Sequence, residues 1–317
     1  MMARQVPPPP LVSVVMAVYD GAAFVAEAIA SVLAQTHRHL ELIVVDDGST
    51  DDTVAVVRSH AARDPRIRLL CRLHQGHAGA LNAGIAAAQG SFIARIDHDD
   101  LWHPQRLELQ LNWMERHGID ICGAWARRFG AATGTIRFAR GHEAIRYETL
   151  FTCPILDSAT LFRGAVLRDN PYPPDAIVRQ ELVQCVRLLP HYRFANLPRV
   201  LCDYRFHDRQ KTRRFRPLIA YRHAQLCQQH FAQMFPDATA AEQAAFNAIT
   251  RTGSAPLDRP GIEAAARLFA DRLCPPDREA RLRMRRRWRY LWARGIRNED
   301  RDIEVYQRVF RAFGQRA

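Results

Sequence analysis

Two acidic runs follow apolar stretches in this 317-residue sequence. Asp97-His98-Asp99-Asp100 comes after Phe92–Ile96, and Asp46-Asp47-Gly48-Ser49-Thr50-Asp51-Asp52 comes after Leu40–Val45. Carboxylates one residue apart at a strand end can reach one small volume, and such hard oxygen donors suit Mg²⁺ or Mn²⁺. A cation held there would relieve the repulsion between the aspartates and a diphosphate, and would stabilise that diphosphate as a leaving group. In the other run a carboxylate can accept from a base N–H or a ribose hydroxyl. Each run also has a plainer reading, as an Asx turn or a cap for a following helix, at Leu101–Gln110 and from Thr53.

The elements that position these runs alternate. Strand signals at Leu11–Val18, Leu40–Val45, Ile67–Cys71 and Ser91–Ile96 are separated by helical spacing at Phe24–Gln35, Thr53–Ala62 and Ala78–Gln89, with a further helix at Leu107–Arg116. This alternation predicts βαβ units with right-handed crossovers and a mostly parallel sheet. Ligands of such sheets bind at the carboxyl ends of the strands, where Tyr19-Asp20, Asp46-Asp47 and Asp97-His98-Asp99 all fall. Residues 120–212 are less regular, with strand-like pieces at Ala159–Phe162 and Arg199–Tyr204 and a helix at Val178–Leu189. From about residue 213 the chain reads as helical, at Leu218–Met234, Ala240–Thr250, Gly261–Leu273 and Arg278–Ala293. The predicted organisation is a disordered leader over 1–10, an α/β domain over 11–212 and a helical region over 213–317.

Composition narrows the classes. Hydrophobic residues make up 48% of the chain, enough for a large core. The net charge of +12 comes almost wholly from arginine, since Lys211 is the only lysine. This implies an anionic partner or simply an arginine-rich coding bias. The seven cysteines have no CxxC spacing and an odd count, which predicts free thiols in a reducing compartment. MMARQVPPPP lacks the apolar centre of a signal peptide, and no run is long and apolar enough to span a membrane. The expected location is the cytoplasm, with any membrane contact peripheral and on the inner face.

Residues 11–110 resemble the inverting GT-A glycosyltransferases of family 2. The likeness rests on VSVVMAVYDGAAFVAEAIASVLAQTHRHLELIVVDDGSTDDT and HAGALNAGIAAAQGSFIARIDHDDLWHPQRLELQ, and continues through SATLFRGAVL and NLPRVLCDYRFHDRQKT. It covers about two thirds of the chain and omits the helical tail. It implies a GT-A (Rossmann-like) α/β fold with a C-terminal helical extension, a nucleotide-diphospho-sugar donor, and Mn²⁺ or Mg²⁺. In this likeness Tyr19 stacks near the base, Asp47 bonds it, Asp46 supports that loop or the ribose, and Asp97 holds the ribose or sugar. Asp99 ligates the metal, while Ala17, Asn82, Arg95 and His98 line the donor site.

The family's catalytic base is usually the Asp of a Glu-Asp pair that opens a helix. Here IVRQELVQCVRLL offers Gln180-Glu181, so the resemblance puts Glu181 in that role, one methylene longer, with Asp175 as a fallback. The same departure supports a second reading, a non-catalytic nucleotide-sugar-binding scaffold of a glycan-assembly complex. Asp157 in PILDSAT stands where the family has a histidine, and would read acceptor hydroxyls or cap a loop. Arg205 and His207, with Arg209, Lys211, Arg213 and Arg214, would approach the diphosphate. The expected acceptor is a glycan or lipid-linked saccharide of polysaccharide, lipopolysaccharide or glycoconjugate synthesis. In residues 278–297 arginines alternate with Leu282, Met284, Trp288, Leu291 and Trp292, the pattern of a helix lying on an anionic membrane or of a packed helix with snorkelling arginines. No reader motif accompanies this basic run, so nucleic acid is not an expected partner.

Overall fold

The computed structural model describes residues 8–207, 215–250, 257–294 and 303–315. Most of the expected leader, the basic residues Arg209, Lys211, Arg213 and Arg214, and the boundary near Thr212 lie outside the described residues. The chain forms two compact units. The first takes Met1–Arg137, Ile155–Gln180 and Asn196–Asp208; the second takes Phe138–Pro154, Glu181–Ala195 and Arg209–Ala317. Residues 138–154 and 181–195 thus join the helical region instead of the α/β part.

In the first unit, β1 (Val12–Val18), β2 (Leu40–Asp46), β3 (Ile67–Cys71) and β4 (Phe92–Arg95) alternate with α1 (Val25–Leu33), α2 (Thr53–Ala61) and α3 (His77–Ala87). All seven residues of β1 and all seven of β2 are buried, which is why each reads as a nearly continuous apolar run instead of an alternating one; the interior polar exceptions Ser13 and Glu41 bond each other at 2.6 Å. β1 pairs in parallel with both β2 and β4, and β2 with β3. The helix α3 packs closely on this sheet: a Cβ at Gly84 would come within 2.5 Å of Val15 Cγ1.

Past β4 the sheet changes character. β5 (Leu101–Trp102), α4 (Arg106–His117), β6 (Ile121–Gly130), β7 (Gly134–Ile136), β8 (Leu161–Arg163) and β9 (Phe194–Phe206) follow. The order is β3-β2-β1-β4-β8-β6-β9-β5, with β7 beside β6. The β4–β8, β6–β8, β6–β7 and β5–β9 pairs are antiparallel, so the parallel sheet read from the alternation is one half of a mixed sheet. Leu101-Trp102 is strand and not the start of a helix. Trp102 reaches back, its Nε1–H donating to the Ser158 carbonyl at 2.7 Å, and the helix begins only after Pro104.

The second unit is helical: α5 (His142–Thr149), most of α7 (Gln180–Leu188), α8 (Arg216–Met234), α9 (Ala240–Thr250), α10 (Arg259–Asp271), α11 (Arg278–Arg294) and α12 (Ile303–Gln315). α6 (Gly164–Asp169) belongs to the first unit. Thr239 and Glu242 form a reciprocal cap at the start of α9, each side chain accepting the other's backbone N–H, and Asp258 caps α10 through Gly261 N–H. Phe231, Phe246, Phe269 and Trp288 are fully buried in this unit's core, each contributing about 1.5–3 kcal/mol by burial.

α11 settles one expectation against its first form. Ala280, Met284 and Trp288, four residues apart, face the core, so the stripe expected to lie on lipid is packed inside the unit. Of the apolar set, Leu282 is the exposed member, at 47%. The snorkelling reading fits better, with Arg285 lying 4.2 Å over the Phe310 ring. Among the described residues no helix is long and apolar enough to cross a membrane. All seven cysteines are free, five of them buried.

Candidate active site

The parallel register brings the acidic runs to neighbouring strand tips. Val18 at the end of β1 is opposite Asp46, and Val15 is opposite Arg95, so the chains leaving β2 and β4 emerge on either side of β1. This is the point at which the strand order reverses, where open parallel sheets take ligands.

The β2 tip is largely a loop-building device. Asp46 is buried, and its Oδ2 accepts from Gly48 and Ser49 N–H at 3.2 Å each, while its Oδ1 has no hydrogen-bond partner among the described residues. Asp47 Oδ1 accepts from Gln75 N–H at 2.8 Å and Oδ2 from Gly76 N–H at 3.0 Å, and His74 Nδ1 stands 2.9 Å from Oδ2. Each carboxylate oxygen keeps further lone-pair capacity. Asp51 bonds Ala22 N–H and Thr53, and Asp20 accepts from Thr50 N–H at 2.8 Å, tying the loops after β1 and β2 together. The N-cap residue of α2, Asp52, makes no side-chain cap bond, while Asp46 and Asp51 form the Asx turns of the plainer reading, Asp51 Oδ1 accepting from Thr53 N–H at 3.0 Å. Asp20 has φ 48°, a left-handed conformation uncommon for a non-glycine residue. The adjacent Tyr19 is 45% exposed, its ring centroid 4.6 Å from that of His74. Ala17 is buried within β1.

The β4 tip is organised around Arg95, which is only 1% exposed. Its guanidinium bonds Asp157, donates to Asp97 Oδ1 at 3.0 Å and to Tyr172 Oη at 3.3 Å, and lies 3.2 Å from His77 Nε2. Burial opposes its charge, but Asp157, Tyr172 and Asp97 together outweigh burial and raise its pKa above the usual arginine value. Burial likewise opposes the Asp97 charge, and Arg95, His77 and His98 overcome it, holding that carboxyl below the usual range. Arg95 is therefore a clamp at the β4 tip, and Asp157 is its counter-ion. Asn82 is a clamp too: its amide donates to the Tyr172 carbonyl at 2.8 Å and accepts from Tyr172 N–H at 2.9 Å. His98 packs against the β1–α1 turn, where a Cβ on Gly21 would meet its Cδ2 at 2.5 Å.

Asp99 and Asp100 diverge. Asp99 Oδ2 lies 2.9 Å from His207 Nε2. Asp100 is fully buried, accepts from Arg205 N–H at 2.9 Å, and is pushed well above the usual carboxyl range by burial and by the neighbouring charges of Asp99 and Asp97. Arg205 Nε donates to the Asp99 carbonyl at 2.8 Å and Nη2 reaches Glu27 at 2.7 Å, with Phe24 and Phe129 on its faces. Arg205 thus fixes the loop after β4 to the end of β9. Among the described residues no group of three or more His, Cys, Asp or Glu is arranged around a metal position. Asp99 and His207 provide an oxygen and a nitrogen donor side by side, a donor set that Mn²⁺ accepts.

Glu181 sits in the first turn of α7 and is half-buried. Arg179, two residues earlier, has φ 60°, so the chain enters this helix through a left-handed residue. Sequence reasoning did not single out His74, His77, Ser158 or Tyr172. His77 and Ser158 stand at the start of stretches that carry the family likeness, but the partners of all four are distant in sequence.

The family profile for glycosyl transferase family 2 matches residues 13–181. An uncharacterized glycosyltransferase of Rickettsia felis is 43% identical over 177 residues, covering 54% of this chain and 29% of that protein. One from Haemophilus influenzae is 29% identical over 226 residues, covering 64% of this chain and 68% of its own length. The chain spans under a third of the length of the Rickettsia relative. S. aureus TarS 1–349, solved with UDP, superposes with a TM-score of 0.59 at 17% identity, over 96% of this chain and 91% of its own. The mannosyltransferase PcManGT of Pyrobaculum calidifontis, solved with GDP-Man and Mn²⁺, gives 0.57 at 19% identity, over 97% and 87%. At these identities the likeness is one of fold, and the fold is the GT-A type. With its profile match spanning more than half the sequence, the chain belongs to glycosyl transferase family 2.

Proposed function

We propose that the chain transfers a sugar from a nucleotide-diphospho-sugar to an acceptor hydroxyl, with inversion at the anomeric carbon. The observation that carries this reading is the parallel register, which sets Asp46 at the end of β2 and Asp97 and Asp99 just past β4, on the two strands that flank β1. In this reading the exposed face of Tyr19, backed by His74, receives the base, and the remaining lone pairs of Asp46 and Asp47 accept from base or ribose. Asp97, fixed by Arg95, accepts from donor hydroxyls.

A divalent cation, Mn²⁺ or Mg²⁺, would be held by Asp99 with His207 and would supply neutralising charge to the departing diphosphate. His207 offers Nε2 as a lone pair when its proton is on Nδ1. Glu181 takes the acceptor hydroxyl proton as that oxygen attacks, and a single displacement inverts the configuration. The acceptor we expect is a glycan or a lipid-linked saccharide.

The test is a melting-temperature screen of UDP- and GDP-sugars with and without Mn²⁺, followed by turnover of any hit. Stabilisation that needs both donor and metal supports the reading. Glu181→Gln should lower turnover about 10²–10⁴-fold with donor binding retained. Tight donor binding with no turnover on any acceptor would leave the scaffold reading in its place.

A further inference from the structure

Arg287 on α11 differs from the other arginines described above. Its guanidinium carbon lies 4.7 Å from the Phe151 ring centroid and 5.5 Å from that of Tyr290. Among the described residues it makes no hydrogen bond and no ion pair. Loss of hydration holds its pKa below the usual arginine value. Arg287 is half-buried, and a guanidinium partly withdrawn from water is ordinarily matched by an acceptor, because leaving it unmatched costs free energy. One turn earlier, Arg283 shows the ordinary case, with Glu148 Oε1 at 2.6 Å.

Arg287 faces a cavity of about 270 Å³ that Thr152, Arg283, Arg286 and Tyr290 also line. The one carboxylate on its wall, Glu148, is taken by Arg283. Arg286 is exposed and, like Arg287, has no ion pair among the described residues. The wall therefore presents two uncompensated guanidiniums, a hydroxyl and two aromatic rings. Residues 283, 287 and 290 lie on one helix face. A carboxylate has two oxygens to offer this set; a phosphate has more, and guanidinium forks match them. The volume is close to the lower end of small-molecule sites, about 300 Å³, and suits a phosphate with a sugar-sized body against the rings.

We propose that this cavity of the helical unit is a phosphate-binding site, with Arg287 as the principal ligand and Arg286 and Thr152 completing it. The phosphate belongs either to a soluble sugar phosphate or to a lipid headgroup, since both present the same oxyanion. The assignment does not depend on the donor reading above.

The full-length chain is titrated calorimetrically in EDTA, which excludes metal-bridged phosphate at the strand tips. Inorganic phosphate and glucose 1-phosphate are the soluble probes, and vesicles with and without phosphatidylglycerol are the lipid probe. Saturable binding that Arg287→Gln weakens at least tenfold, and Arg286→Gln several-fold, supports the site. If the affected binding is to the sugar phosphate, the ligand is soluble; if only to the anionic vesicles, it is a headgroup. Arg287→Gln should melt at or above the wild-type temperature in phosphate-free buffer, because it removes an unmatched charge, and should lose the phosphate-dependent rise in that temperature. Absence of binding to all three probes, or binding unchanged by Arg287→Gln, overturns the proposal.

Discussion

Arg95 and Arg287 are the same side chain in opposite circumstances. Arg95, at the tip of a buried strand, is surrounded by Asp97, Asp157, Tyr172 and His77. Arg287, on a helix of the second unit, lies beside aromatic faces and has no ion pair among the described residues. Arg106 is intermediate: it is fully buried, 3.7 Å over the Trp102 ring, donates to the Thr160 carbonyl at 2.9 Å, and burial lowers its pKa to about 9. Burial alone therefore does not tell what an arginine does. A fully matched arginine holds its surroundings in place, whereas an unmatched one beside a cavity points to something outside the chain.

The strongest break of this contrast is at the β4 tip. Asp99→Asn should reduce sugar transfer by about 10³-fold and abolish the Mn²⁺-dependent donor stabilisation, while the melting temperature without ligand stays near wild type. A large loss of stability instead would mean that Asp99 belongs with the matched scaffold. Next, Arg95→Met should cost about 3–5 kcal/mol in urea unfolding, since it leaves the buried Asp157 and the half-exposed Asp97 without their cation. Asp157→Asn in the same chain should recover part of that loss, and a double-mutant cycle measures how much.

A third test uses pH. His230 is buried in the second unit, its Nε2 2.9 Å from the Arg146 carbonyl, and burial, its largest influence, pushes its pKa down to about 4 from 6.5. A ring that resists protonation when folded contributes stability that is complete above about pH 6.5 and is lost as the pH falls toward about 4. The difference corresponds to about 3 kcal/mol. Denaturation at pH 7 and pH 4.5 should show this slope in the wild type and a shallower one in His230→Gln. The smallest effect is Arg287→Gln, expected to be neutral or stabilising by up to about 1 kcal/mol without ligand. The opposite signs at Arg95 and Arg287 are what the comparison requires.

Much of the first unit was legible because buried parallel strands announce themselves. β1 to β4 appear in the sequence within one or two residues of their observed bounds, and the acidic runs at their ends fall where the topology gathers them. β6 was not legible: Ile121–Gly130 mixes glycine and paired arginines into what is a ten-residue strand, and its pairing with distant β8 supplies the order that local propensity lacks. α12 was overlooked although its signal was present, with Val305, Val309 and Phe313 four residues apart and all buried. At the site, the residue types could be read but not their partners. Arg95 finds Asp157 and Tyr172 62 and 77 positions away, and nothing in the spacing of either announces the clamp.

The way the chain is shared between its two units has a practical consequence. It passes from one to the other five times, and α5, with Leu150 and Phe151 after it, contributes to the same apolar core as Phe246, Phe269 and Trp288. The C-terminal third is consequently no detachable appendage. A protein shortened near residue 212 would keep α5, Leu150 and Phe151 but lose the partners that bury them, and its newly bared phenylalanine and leucine surface would favour aggregation.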